Sequence, residues 1–173
     1  MVATKPRRMD GELPRRRSTS TLVLLDAHVF IDVAKQELLQ NRHPVLAKLL
    51  NSHKLILNKR LQKHYSGVLY NKGESALRYI DSVVDVAPVE HVSSSEYSTV
   101  TLDSRHKPSH RKDVFLCMIA IAARRKSNKV ILVSEDPHLG SLDPVYHSDD
   151  GIRIVPANDY VQHFCSEQPE RAS

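Results

Sequence analysis

Three carboxylates stand where the chain pattern would bring an acid to the end of an element. Asp26 closes the apolar run TLVLLD. Asp113 opens the apolar stretch DVFLCMIAIAARR. Asp136 follows the run VILV at a distance of three residues. Carboxylates crowded together repel and raise one another's pKa, so such a group is costly when empty. A divalent cation relieves that cost, and hard oxygen ligands with open positions suit Mg²⁺ or Mn²⁺. A cation held in this way can activate water and stabilise a phosphodiester transition state. Each acid also has a plain structural role. Asp113 can cap a helix or complement its dipole, and Asp136 before Pro137 can serve as an N-cap. Asp26 is harder to explain as a cap alone, because everything before it in VLLD suits burial.

The elements that must position these acids are short apolar strands alternating with helices, the pattern of a parallel α/β sheet. Continuous apolar runs suit strands covered on both faces. We expect strands over 21–26, 54–57 (KLIL), 84–87 (VDVA), 130–133 and 152–155. Helices are expected from Val29 and Phe30 onward, from Pro44, over 59–71, 74–83 and 113–125, briefly after Pro137, and over 158–164. The expected fold is a single three-layer α/β domain on a central, mostly parallel five-stranded sheet. It spans 21–164, with a disordered basic arm at 1–20 and a tail at 165–173. Ligands of open α/β sheets bind outside the carboxyl ends of the strands. That rule puts Asp26 and Asp136 at one edge, with Asp113 heading the crossover helix that returns there. The polar stretch 89–111 is long for a loop in a compact domain. A segment of that kind carries function or hides a short helix.

The 173 residues carry a formal charge of +5, with ten histidines besides. Residues 1–20 hold six basic and two acidic residues, a net +4, which leaves +1 for the rest. Charge therefore says little about what the domain binds. No run approaches the roughly 18 apolar residues of a membrane span, and acids interrupt the basic N-terminus where a signal peptide needs an apolar stretch. The two cysteines, Cys117 and Cys165, sit in apolar contexts and read as reduced core residues. They point to a reducing, cytoplasmic setting. Tryptophan is absent and aromatic residues make up 5% of the chain, which argues against a base-reading platform built by stacked rings.

Three segments in order, LLDAHVFID, KDVFLCMIAIAARRKSNKVILVSEDPHL and GIRIVPANDYV, resemble the PIN domain family of metal-dependent nucleases. Together they cover nearly all of 21–164. The resemblance implies in-line hydrolysis of RNA by a metal-activated water. Asp26, Asp113 and Asp136 would be the catalytic acids and the ligands of Mg²⁺ or Mn²⁺. Ser134 fills the family's Thr/Ser-x-Asp pattern, and His28 stands where a small polar residue is usual. Both become candidate substrate contacts, as do Arg105, Lys107, Arg111 and Lys112, which would neutralise phosphates. Arg124, Arg125 and Lys126 instead suit the dipole at a helix C-terminus.

One departure matters. The family places a Glu on the helix after the second strand, and LQKHYSGVL puts His64 there. Histidine ligates Mn²⁺ or Zn²⁺ but is a poor ligand for Mg²⁺. His64 is thus either a further metal ligand preferring a softer ion or the mark of a lost one. The leading expectation is a metal-dependent endoribonuclease, acting alone or as the toxin of a toxin–antitoxin pair. The alternative is a catalytically weakened PIN-like module that binds RNA or a partner protein. The expected partners are RNA, an antitoxin or other regulatory protein, and a second copy in a homodimer, with no membrane. A receiver-like signalling domain fits poorly, because Asp26 lacks an adjacent acid and the third and fifth runs end at Pro88 and Pro156.

Overall fold

The computed structural model describes residues 19–71, 73 and 75–164. The basic arm, but for its last two residues, and the tail with Cys165 lie outside the described residues. The chain alternates strands and helices as the apolar runs require. Strand β1 (Thr21–Leu25) leads to helices α1 (Ala27–Leu38) and α2 (Pro44–Ser52). Strand β2 (His53–Leu57) is followed by α3 (Lys59–Tyr70) and α4 (Ala76–Val84). Strand β3 (Val89–His91) precedes the short α5 (Ser94–Ser98), a 3-10 turn (Arg111–Asp113) and α6 (Val114–Arg124). Strand β4 (Val130–Val133), helices α7 (Pro137–Gly140) and α8 (Asp143–Asp150), strand β5 (Ile152–Val155) and α9 (Ala157–His163) complete it.

The five strands form one sheet in the order β3-β2-β1-β4-β5, and all four pairings are parallel. Leu22 to Leu25, Leu55 to Leu57 and Val130 to Val133 are buried, as strands covered on both faces must be. Helices α1, α3 and α4 pack on one another, while α6 crosses β1, β4 and β5. These are the two outer layers of a three-layer α/β domain. The chain moves outward from β1 to β3, then returns to the other side of β1 with β4. The C-terminal ends of β1 and β4 are therefore neighbours at the point where strand order reverses, the usual ligand crevice of such sheets.

The third strand lies later than the sequence suggests. Val84 ends α4, and the amides of Asp85, Val86 and Ala87 bond back to the carbonyls of Asp81, Val83 and Val83. Those donors are taken by the helix end, so VDVA has none for a ladder. Pairing begins past Pro88, whose carbonyl accepts from the Leu55 amide at 2.8 Å. Helix α5 is the short helix hidden in 89–111. Its Ser93–Glu96 capping box is closed in both directions, which fixes a helix of only five residues. Cys117 is buried and unpaired, and burial pushes its thiol up to about 11. None of the described helices is long and apolar enough to cross a membrane.

The N-terminal ends of the strands are tied by side chains. Arg124, at the end of α6, donates to the Asp150 carbonyl at 2.6 Å and the Ser127 carbonyl at 2.7 Å. The fully buried Ser127 hydroxyl donates to the Ser20 carbonyl at 2.5 Å. Lys126 instead reaches across to β3, where it bonds to the carbonyl of the last strand residue, His91, and pairs with Glu90 and Glu96. The basic end of α6 thus holds the fold together, as its place at a helix C-terminus suggests.

A carboxylate cluster and the groove that leads to it

Asp26 is buried at the end of β1, where it caps α1 by accepting from the Ala27 amide at 2.6 Å. Its other oxygen accepts the Ser134 hydroxyl proton at 2.8 Å. The same Ser134 oxygen accepts from the Asp136 amide at 3.1 Å. Ser134 is therefore a strut between the ends of β1 and β4. Its single proton is committed to Asp26, so Ser134 could meet a substrate only as an acceptor or by way of Asp26. Asp136 accepts from the His138 amide at 2.8 Å and caps α7. The cap roles of Asp26 and Asp136 are real, yet each uses few of the lone pairs a carboxylate carries.

Asp113 differs from both. It is 4% exposed, and its Oδ2 is buried with no hydrogen-bond partner. Burial raises its pKa, and the charges of Asp26 and Asp136 raise it further, against the lowering effect of Lys112 and His110. Asp26 and Asp136 thus both act on Asp113. His64, half-buried on α3, joins them. Burial lowers its pKa, while Asp26 and Asp113 raise it and Lys112 and His28 lower it. His28 is exposed on α1. Exposed His110, part of the basic stretch 105–112, and His138, not singled out in the sequence, face each other at 5.1 Å between ring centroids, edge to face.

The donor types suit a hard divalent cation: carboxylate oxygens, one of them buried and orphaned, with a histidine held toward its neutral form beside them. Among the described residues, however, no three carboxylates, histidines or cysteines already close into a group that would hold a metal.

A groove of about 970 Å³ opens beside the acids. Helix α3 supplies Lys59, Arg60, Lys63 and His64 to it, while the 3-10 turn and α6 supply Arg111, Lys112 and Phe115. The segment after β3 supplies Tyr97 and the stretch from His91 to Ser94. Among the described residues no acid lines the groove. Its Lys and Arg side chains make no ion pair with any described carboxylate, unlike Arg42, Lys54 and Arg153, which pair with Glu37, Glu90 and Asp143. Among the expected phosphate contacts, Arg111 and Lys112 line the groove. Arg105 is instead turned to Asp103 and Asp149, and exposed Lys107 is not part of the lining. The three cations of α3 were not singled out, although KRLQK shows the signal. Lys59 and Lys63 stand four apart on the side away from buried Leu61 and Tyr65.

The cluster and the groove are joined through the core. Tyr65, next to His64, donates to the Leu25 carbonyl at 2.6 Å, one residue before Asp26. Its ring stacks on Phe30 of α1 with centroids 4.0 Å apart and planes 7° from parallel. Comparison with protein-family models, curated proteins and solved structures gives no match.

Proposed function

We propose that the chain is a metal-dependent endoribonuclease of PIN type. The observation that carries this reading is the buried Asp113 carboxylate, with one orphaned oxygen, set against Asp26 and Asp136 at the strand-order reversal of a parallel sheet. A buried, unpartnered carboxylate among like charges is unfavourable, and a cation ligand gives it a purpose. Asp26, Asp113 and Asp136 would hold Mg²⁺ or Mn²⁺, with His64 at the margin. The bound cation would supply charge neutralisation and a more acidic water.

The chain's own residues do the positioning. The Ser134 hydroxyl and the Ala27 amide fix both oxygens of Asp26. The His138 amide holds one oxygen of Asp136. Lys112, beside Asp113, and Arg111 stand where phosphates would arrive from the groove. A second reading has its own support: His64 replaces the family's acid, and no closed metal-holding group is present among the described residues. Under it the chain is a PIN-like module that binds RNA or a regulatory protein without cutting.

Incubation with end-labelled RNA and Mn²⁺ or Mg²⁺ tests the first reading, with Asp26→Asn and Asp113→Asn alongside. We expect cleavage by the wild type with Mn²⁺ favoured, and none by either variant. Cleavage that persists in both variants would remove the cluster from the reaction. RNA binding without cleavage under either ion would select the second reading.

A further inference from the structure

Arg60 is placed unlike the other cations of the groove. Its guanidinium lies over the Phe115 ring at 4.9 Å from the centroid and 6.0 Å from that of Tyr97. Both rings are 7% exposed, so they back the guanidinium and are not themselves open platforms. Arg60 as a residue is exposed and lines the groove. The effect is a planar cation pinned by rings from α5 and α6. Guanidinium planes are surfaces on which unpaired bases stack, and cation–π contact fixes the plane. Around it Lys59, Lys63, Arg111 and Lys112 offer charge without a carboxylate competitor.

We propose that Arg60, held on Phe115 and Tyr97, is the stacking platform for one unpaired base of a single-stranded RNA whose flanking phosphates lie on the other groove cations. The proposal rests on the nuclease reading only for the direction in which the strand leaves, past Lys112 toward Asp113. It revises the expectation that a chain poor in aromatics cannot hold a base by stacking: two buried rings serve by orienting an arginine. An acidic protein segment would find the same charges, but it has no flat π-face to match the guanidinium.

The test is binding of a short fluorescein-labelled single-stranded RNA, read by anisotropy in EDTA, so that no result depends on cleavage. Arg60→Lys keeps the charge and removes the plane. Lys63→Gln removes one charge and keeps the plane. We expect Arg60→Lys to weaken binding about tenfold with an unchanged salt slope. Lys63→Gln should lower the slope of log K against log salt by about 0.7. An RNA of equal length with abasic positions should bind wild type and Arg60→Lys alike. Equal affinity of wild type and Arg60→Lys for the intact strand overturns the proposal. So does a duplex, or a polyglutamate peptide of matched charge, that binds as tightly as the single strand. Melting curves of both exposed-site variants confirm that they fold.

Discussion

At the N-terminal end of the sheet the buried Ser127 hydroxyl and the Arg124 guanidinium meet backbone carbonyls at 2.5–2.7 Å. At the other end the buried Asp113 Oδ2 meets nothing. Both ends hold polar groups away from water, under the same rule that burial without a partner is unfavourable. At the first end even Asp150 Oδ2, which has no hydrogen bond, lies 3.0 Å from His106 Nε2, and there the polar groups contribute to stability. The other end departs from the rule, and sites that depart from local satisfaction are where function tends to reside. The same kind of substitution should therefore move the protein in opposite directions at the two ends.

The sharpest break in that contrast is catalytic. Asp113→Asn is expected to lower RNA cleavage at least a hundredfold while RNA affinity in EDTA changes little, measured on one preparation. Next in size is Ser127→Ala. It strips a donor from the half-buried Ser20 carbonyl, empties a fully buried position and should cost about 1–3 kcal/mol. At roughly 2–4 °C per kcal/mol for a chain of this size, the melting temperature should fall by several degrees. A melting temperature equal to wild type would mean that this end is not the tied one.

The third expectation has the opposite sign. Ionising Asp113 is harder in the folded chain than in the unfolded one, because burial and its acidic neighbours raise its pKa. The resulting penalty is absent below the ordinary carboxylate value of 3.8, where both states are protonated. It is complete above the raised folded value. Without cation near neutral pH, Asp113→Asn should melt a few degrees above wild type, and the gap should close on acidification. Added Mn²⁺ should raise the wild-type melting temperature more than that of the variant. A variant that melts lower at every pH would count against crowding of the acids.

The smallest effect returns to the tied end. His53, at the start of β2, is 4% exposed and bonds through Nδ1 to the Tyr160 hydroxyl at 2.7 Å. Burial lowers its pKa from 6.5, helped by Lys48 and Lys129. Protonation therefore favours the unfolded chain. Its contribution is whole above 6.5 and shrinks as pH falls toward the depressed folded value, by at most about 1.4 kcal/mol per pH unit. His43 and His64 are lowered by burial as well, so His53→Gln should flatten the acid limb of a urea-melt series only in part. An acid limb as steep as that of the wild type would exclude His53.

Most of the scaffold is legible from apolar runs. VLL before Asp26 and VILV before Ser134 place both strand ends, and four of the five expected strands lie where the runs are. VDVA misleads because a helix end and a strand both accept short apolar runs, and only the amides' partners decide between them. Helix α8 is obscured because Tyr146 is its one buried residue. Its signals are Pro144 in the first turn and Gly151 in the left-handed conformation at the end, φ 66°. The acids are legible singly, as strand and helix ends. Their mutual influence is not, since it arises from segments 87 and 110 positions apart from Asp26. The groove cations of α3 were readable as a helix face, but which of the chain's 25 Lys and Arg residues lack an acidic partner depends on the fold. Arg105 and Arg111 stand six positions apart, and only Arg111 is left open.

The Tyr65 hydroxyl bond has a consequence for how the molecule can change over time. It fixes Leu25, and so Asp26, to the helix that carries both His64 and the groove's Arg60 and Lys63. Reacting geometries tolerate errors of only about 1 Å before rates fall a hundredfold. The spacing between the acids and the groove is thus set by a phenol and a Phe30 stack that are both fully buried. If the proposed function holds, a lineage that altered metal preference at position 64, or strand preference at position 60, could do so by changing one half-buried and one exposed group. One that altered Tyr65 or Phe30 would shift both settings at once, so the two properties are free to drift separately only while this hidden ruler stays intact.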